Sequence, residues 1–166
     1  ASELNNIGIY EVVTNSTNFK DEKWYINTNE SYAFADNQVT RSWGTATAKA
    51  HADTLWTAQD ETDGKGTEGE VATRGLKYNL IQTIKQQASG LLAPTDWYVV
   101  KATEVSDYSV PSNISTFRAS VRTKSNEMET QITNASDTPA LETLYTYTTD
   151  DNGVQSRPLA EFPKEI

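Results

Sequence analysis

The stretch LKYNLIQTIKQQASGLL, residues 76–92, decides the fold class. Its Leu76, Leu80, Ile81, Ile84, Ala88, Leu91 and Leu92 recur at three- and four-residue steps. That spacing puts them on one stripe of a helix. A second stretch, ISTFRASVRTKSNEMETQI, fills residues 114–132. There Ile114, Phe117, Val121, Met128 and Ile132 lie close to heptad a/d spacing, with Arg118, Arg122 and Lys124 off the stripe. Thr123-Lys124-Ser125 is the weak spot of that pattern. Two such stripes joined by a short connection are expected to pack as an antiparallel helical hairpin. Thr73 is expected to cap the first helix, which then begins at Arg74. Pro94 ends that run, and Thr95 is expected to cap a short helix carrying Trp97, Val100 and Ala102. Trp97 falls just after the break, so its ring is expected to fill the gap between two helices. Ser112 is expected to cap the long helix, and Asp137 or Thr138, before Pro139, to start a last short one with Leu141, Leu144 and Tyr145.

Upstream of this region the pattern changes from 3.6 to two. Alternation runs from Ile7 to Val13, then through Trp24-Tyr25-Ile26 and Ser31 to Ala35. Asp36-Asn37 reads as a two-residue hairpin turn, because both residue types tolerate positive φ. After it Val39, Arg41, Trp43, Thr45 and Thr47 share one face. From Gln59 to Glu70 five acids lie among three glycines with one lysine and no apolar content, which reads as a mobile linker. The expected fold class is α+β: an N-terminal antiparallel β-sheet followed by a helical hairpin with short accessory helices. The expected organisation is a β-rich region over 1–58, an acidic Gly-rich linker over 59–73, the hairpin over 74–135, and a short helix with a tail over 136–166. Asn152-Gly153 turns the chain into that tail.

The 166 residues carry 14 basic and 23 acidic side chains, a net charge of −9. Such a chain repels phosphate backbones and anionic membranes, so neither nucleic acid nor membrane is an expected partner. No apolar run approaches the length of a membrane-spanning helix. The first residues show no basic start and no apolar h-region, so no secretion signal is expected. There is no cysteine, which removes disulfides, zinc–thiolate sites and thiol catalysis. His51 is the only histidine, and no serine sits in a nucleophile elbow. No motif singles out a carboxylate pair, and Gly64-Lys65-Gly66 is too short to cradle a phosphate. The chain is therefore expected to be no enzyme and to carry no cofactor.

The acidic segment invites a calcium-loop alignment. Gly64 as the turn glycine puts Gln59, Glu61 and Asp63 at the first three ligand positions and Glu70 at the twelfth. The first position is then Gln rather than Asp, and nothing clearly helical precedes it, so a solvated linker is expected and no metal site. Trp24, Trp43 and Trp56 are candidate surface aromatics. Aromatic faces stack on sugar rings, which makes a carbohydrate- or host-surface-binding module the alternative function; a small sheet core accounts for the same rings.

Ala72-Thr73-Arg74-Gly75-Leu76-Lys77, then Leu91-Leu92-Ala93-Pro94-Thr95-Asp96-Trp97, then Val110-Pro111, and finally Phe117-Arg118-Ala119-Ser120-Val121-Arg122 form a further pattern. It resembles the helical C-terminal region of tail-fibre assembly and tail-chaperone-like proteins of tailed bacteriophages; extended by Thr123-Lys124-Ser125-Asn126-Glu127-Met128-Glu129 and a closing Arg157-Pro158-Leu159, it resembles proteins of marine phages, especially those infecting cyanobacteria. The hallmark there is L-L-x-x-T-D-W, a spacer with proline, then Y-R-x-x-(L/V)-R. The resemblance covers about residues 72–162. It departs at Phe117, which stands where the family has Tyr, and it leaves out the N-terminal third. It implies a non-enzymatic tail or tail-fibre-associated protein, acting by protein–protein contacts in virion assembly or staying in the virion as a structural component. The implied partners are phage tail or tail-fibre proteins, with self-association or incorporation in a larger assembly. The implied location is the virion, or the host cytoplasm during assembly. Leu80, Ile81, Ile84, Trp97, Phe117, Arg118, Val121 and Arg122 are the candidate residues for locking the hairpin or binding a partner. Arg118 and Arg122 lie four apart on one helix face, so either reaches Asp96 or a partner carboxylate.

Overall fold

A computed structural model describes residues 2–164. The chain divides into two compact units, Ala1–Lys49 and Ala50–Ile166. The first is built of strands and the second mainly of helices, so the α+β class holds.

In the first unit a helical turn, α1 (Ser2–Asn5), leads to β1 (Glu11–Thr14), β2 (Tyr25–Ile26), β3 (Ser31–Ala35), β4 (Gln38–Ser42) and β5 (Thr47–Ala48). Asp36 and Asn37 take φ of 54° and 59°, the backbone that a tight two-residue hairpin turn needs. β3 and β4 are therefore antiparallel, with Ala35 opposite Gln38 and Ser31 opposite Ser42. β1 joins the far edge of β4 in parallel, with Val12 opposite Val39. The sheet, in the order β1-β4-β3, is thus mixed, and the all-antiparallel expectation is corrected. Period two tells which face a residue lies on and nothing about the direction of the neighbouring strand. The segment from Thr14 to Gln38 is long enough for the crossover that a parallel pair requires. β1 also starts later than the alternation suggests, because Ile7 and Gly8 lie in the turn after α1. β2 and β5 form a separate two-residue ladder.

The second unit opens with β6 (Thr54–Leu55), α2 (Ala58–Thr62) and β7 (Val71–Thr73), where β6 and β7 pair antiparallel. Residues 59–73 are therefore no unstructured linker. Thr57 and Asp60 form a reciprocal capping box at the start of α2. Lys65 bridges Asp60 and Asp63, both at 3.0 Å. Gly66 lies directly under the Trp56 indole, where no Cβ fits. The boundary between regions also moves from 58 to 49. The carbonyls of Ala50 and His51 accept from the N–H groups of Leu76 and Lys77, both at 3.0 Å. Asp53 accepts from the Gly75 N–H at 2.8 Å and from Arg74 at 2.6 Å.

There follow α3 (Leu76–Leu92), a 3-10 turn (Ala93–Thr95), α4 (Asp96–Glu104), α5 (Ser112–Asn134) and α6 (Thr138–Tyr145). α3 begins two residues later than expected. Gly75, not Thr73, is its N-cap; glycine has no side chain to offer, and the N–H groups of Leu76 and Lys77 are taken instead by the Ala50 and His51 carbonyls. α3 and α5 are antiparallel: Lys77, at the start of α3, donates to the Thr133 carbonyl near the end of α5. The core lies along α5, where Ile114, Phe117, Val121, Ser125, Met128 and Ile132 are all buried. Ser125 completes the stripe where the sequence looked weak, and its hydroxyl is used by Glu129 at 3.0 Å. Asp137 caps α6 by accepting from the Ala140 N–H at 2.8 Å. A hairpin of β8 (Thr148–Thr149) and β9 (Gln155–Ser156) turns at Gly153 and brings the tail back. Leu159 of the tail is buried, and the Gln131 amide holds the tail backbone on both sides, at Pro158 and Ala160.

Candidate partner-binding surfaces

The motif residues of the helical unit meet at one corner. α3 ends there with carbonyl groups that no further helical turn can satisfy. Arg118 of α5 reaches into the corner with its side chain 9% exposed. Its Nη1 donates to the Leu92 carbonyl at 3.0 Å and to the Thr95 hydroxyl at 2.6 Å, and it forms an ion pair with Asp96 at 2.8 Å. The Thr95 hydroxyl in turn donates to the Leu92 carbonyl at 2.7 Å. A cation at a helix C-terminus is favoured by the helix dipole, and a buried guanidinium needs such a set of acceptors. Thr95 thus sits at the N-cap position of α4 but makes no side-chain cap, since its hydroxyl belongs to the Arg118 set. Arg122, one turn on, is exposed and comes only within 3.5 Å of the Arg118 carbonyl. A shallow cleft of about 420 Å³ opens beside the corner between Lys85, Ser89, Asp96, Arg122 and Asn126.

The other candidate residues divide between core and surface. Ile84, Phe117 and Val121 are buried, and Phe117 and Val121 cluster with Ala88. They lock the hairpin and are not free to touch a partner. Leu80 and Ile81 are half-buried. Trp97 is 51% exposed, which corrects its expected role as a buried anchor. The gap after the Pro94 break is filled by Arg118 and Thr95, so the ring turns outward and stacks on Tyr98 with centroids 3.8 Å apart. α4 as a whole has no buried residue, and Val99 and Val100 are exposed beside Trp97.

The three remaining tryptophans do not form one surface. Trp24 is buried, at 3% exposure, which corrects its reading as a surface aromatic. It sits in the turn before β2, and the Lys23 ammonium lies 4.5 Å from the ring centroid. Trp43 is half-buried, edge-on to Phe19 at 4.8 Å and under the Arg41 guanidinium at 4.5 Å. Trp56 is half-buried over Gly66. The set proposed for stacking on sugars therefore loses one ring outright.

The mixed sheet has one apolar face that the sequence reading passed over. Register puts Tyr10 and Val12, Val39, and Tyr32 and Phe34 on the same side of the three strands. The Tyr10 and Phe34 rings are 4.5 Å apart. Val12, Tyr32 and Phe34 are each more than half exposed. The alternation signalled this face, but the sequence alone does not say whether a second layer covers it. Arg41, opposite Tyr32 on the central strand, shares this face, and Glu30 accepts from it and from the Tyr32 hydroxyl; these two bonds hold the Glu30 carboxyl below the usual range.

Asp60 and Asp53, elsewhere in the chain, are committed to internal contacts. Asp60 is held down to about 2, first by the Thr57 hydroxyl and then by Lys65. Asp53 is lowered by the Gly75 N–H and by Arg74. Among the described residues no group of three acids or His is placed to hold a metal ion. Among them, too, no helix is long and apolar enough to cross a membrane. No protein family, curated protein or solved structure matches the chain.

Proposed function

We propose that this chain is a non-enzymatic component of phage tail or tail-fibre assembly that works by protein–protein contacts. The observation that carries the contact role is α4, a nine-residue helix with no buried residue and with Trp97, Val99 and Val100 turned to solvent. An isolated helix of that length is unstable in water, and exposed aromatic and aliphatic side chains of this kind are interface anchors. The phage attribution rests on the resemblance of residues 72–162. It is supported by the way Thr95, Asp96 and Arg118, three residues of that pattern, join in one hydrogen-bonded corner. The corner fixes the direction in which α4 leaves the hairpin, so a motif that locks the corner also aims the exposed face. The surrounding chain is acidic, and the contact is accordingly apolar with a polar rim rather than a basic patch.

The test is binding of the full chain to tail and tail-fibre proteins from purified particles, comparing the native sequence with Trp97→Ala and Val100→Glu. Loss of binding with unchanged melting supports the reading. Binding that ignores both substitutions removes α4 as the contact. Mass spectrometry of purified virions separates the two fates: a stoichiometric chain is a virion component, and an absent one is an assembly factor.

A further inference from the structure

The free edge of β3 carries an inference that goes beyond the assembly reading and stands separately from it. β3 is the outer strand on one side of the sheet. All five of its residues, Ser-Tyr-Ala-Phe-Ala, are exposed, none is charged and none is proline. Its register with β4 runs without a bulge. Sheet edges are normally guarded by Lys, Pro, bulges or a covering element, and β3 itself carries no such guard. The two-residue turn makes Ala35 and Gln38 the closing hydrogen-bonded pair of the hairpin. Alternation along the ladder then turns the N–H and C=O of Ser31, Ala33 and Ala35 toward β4. The N–H and C=O of Tyr32 and Phe34 point away from the sheet. The other side of β4 obeys the same alternation, since the Arg41 carbonyl turns toward β1 and accepts from the Asn15 N–H at 2.8 Å.

We propose that β3 pairs antiparallel with β3 of a second copy of this chain, about a two-fold axis at Ala33. This register sets Tyr32 opposite Phe34 of the other copy, and Phe34 opposite its Tyr32. Each is a pair that exchanges both main-chain bonds, so every free group on the two edges is satisfied. A register centred on Tyr32 or on Phe34 leaves the other residue facing positions outside β3. The same register lays ring against ring across the join, the kind of cross-strand pair that stabilises a sheet. On the opposite face Ala33 meets Ala33 and Ser31 meets Ala35, side chains too small to obstruct the approach. At the two ends Glu30 faces Asp36, and the Arg41 guanidinium, 2.7 Å from Glu30, offsets that repulsion. Two three-stranded sheets become one of six strands, and a strand that is marginal at an edge becomes internal.

The test uses the full chain, with sedimentation equilibrium across a wide concentration range. The native sequence is expected to form a dimer. Ala33→Lys sets two ammonium groups across the axis and Ala33→Glu two carboxylates. Both leave the β3–β4 bonds and the rings in place. Each variant alone is expected to weaken the dimer about tenfold or more with unchanged circular dichroism. Mixing the two is expected to restore a dimer holding one copy of each. A native chain that stays monomeric overturns the proposal, as does a variant that dimerises like the native chain or a mixture that fails to recover. Rings or filaments overturn it too, because they require β3 to meet a different edge. A monomer that still binds tail proteins removes the pairing and leaves the assembly reading intact.

Discussion

At the scale of single residues, Arg118 and Trp97 show how one corner distributes its roles. Arg118 is buried and serves three acceptors, whereas Asp96 is mostly solvated. The two ends of this ion pair therefore contribute unequally. Arg118→Ala is expected to cost about 2–4 kcal/mol, because it leaves the Leu92 carbonyl and the Thr95 hydroxyl short of a donor and removes a packed alkyl stem. Asp96→Asn is expected to cost under about 1 kcal/mol, as for an exposed partner. Urea unfolding of both variants measures the difference, and equal losses would mean that the ion pair, rather than the cap, holds the corner. That Arg118 and Arg122 share a helix face, from which either reaches Asp96 or a partner carboxylate, was legible in the sequence, since residues four apart on a helix share a face. Which of Arg118 and Arg122 turns inward was not, because that depends on the crossing of α3 and α5. Trp97 was misread for a related reason. A ring after a helix break goes in or out according to what else fills the gap, and here an arginine from a segment twenty residues away fills it. Trp97→Ala is therefore expected to change stability by no more than about 0.5 kcal/mol, against about 3–5 kcal/mol for Phe117→Ala in the core. Thermal or urea melting of the pair checks this, and a large loss at Trp97 would return it to the core.

At the scale of elements, long periodic stretches were readable and short polar ones were not. α3 and α5 follow from their stripes, and the β3–β4 turn follows from Asp36-Asn37. The segment around α2 looked like a linker because it has nothing apolar to bury. Its order comes instead from local bonds: the Thr57–Asp60 capping box, the Lys65 bridge and the seat of Gly66 beneath Trp56. A Thr followed three residues later by an acid was the signal that would have found it. This origin predicts a pH dependence. The Asp60 carboxyl is lowered from 3.8 to about 2 in the folded chain, chiefly by the Thr57 hydroxyl. A depressed carboxylate contributes stability that is present above its unfolded value and is lost as pH falls through its folded value. α2 is thus expected to loosen as pH drops from about 4 toward 2, with the Trp56 indole N–H resonance as the readout. Asp60→Asn is expected to abolish that transition. An α2 that holds its native resonances at pH 2 would show that the capping box is not what orders it.

At the scale of the whole molecule, apolar burial is unevenly spread. Most of the buried side chains belong to the second unit, along α5 and its neighbours, with Met128, Ile132, Leu141 and Leu159 almost sealed from water. In the first unit every residue of β1 and β3 is exposed, and the buried apolar side chains among those described are Trp24 and Tyr25. Hydrophobic burial is the main term opposing chain entropy, so local stability follows that division. Amide exchange is expected to show it. The N–H groups of Val121, Met128 and Ile132 lie in the middle of a buried helix and should exchange only when the second unit unfolds. Those of β1 and β3 should exchange far faster in dilute solution, fastest of all Tyr32 and Phe34, whose N–H groups face the free edge. Their response to concentration then separates two causes of weakness. If the first unit is simply poorly packed, Tyr32 and Phe34 stay fast at every concentration. If it is completed by a second copy, their exchange slows as the chain is concentrated, while Ala33, already bonded to β4, changes less because it was already protected. Slowing that is equal at all three positions would point to general crowding of the unit rather than to strand pairing, since only a new ladder selects alternate amides.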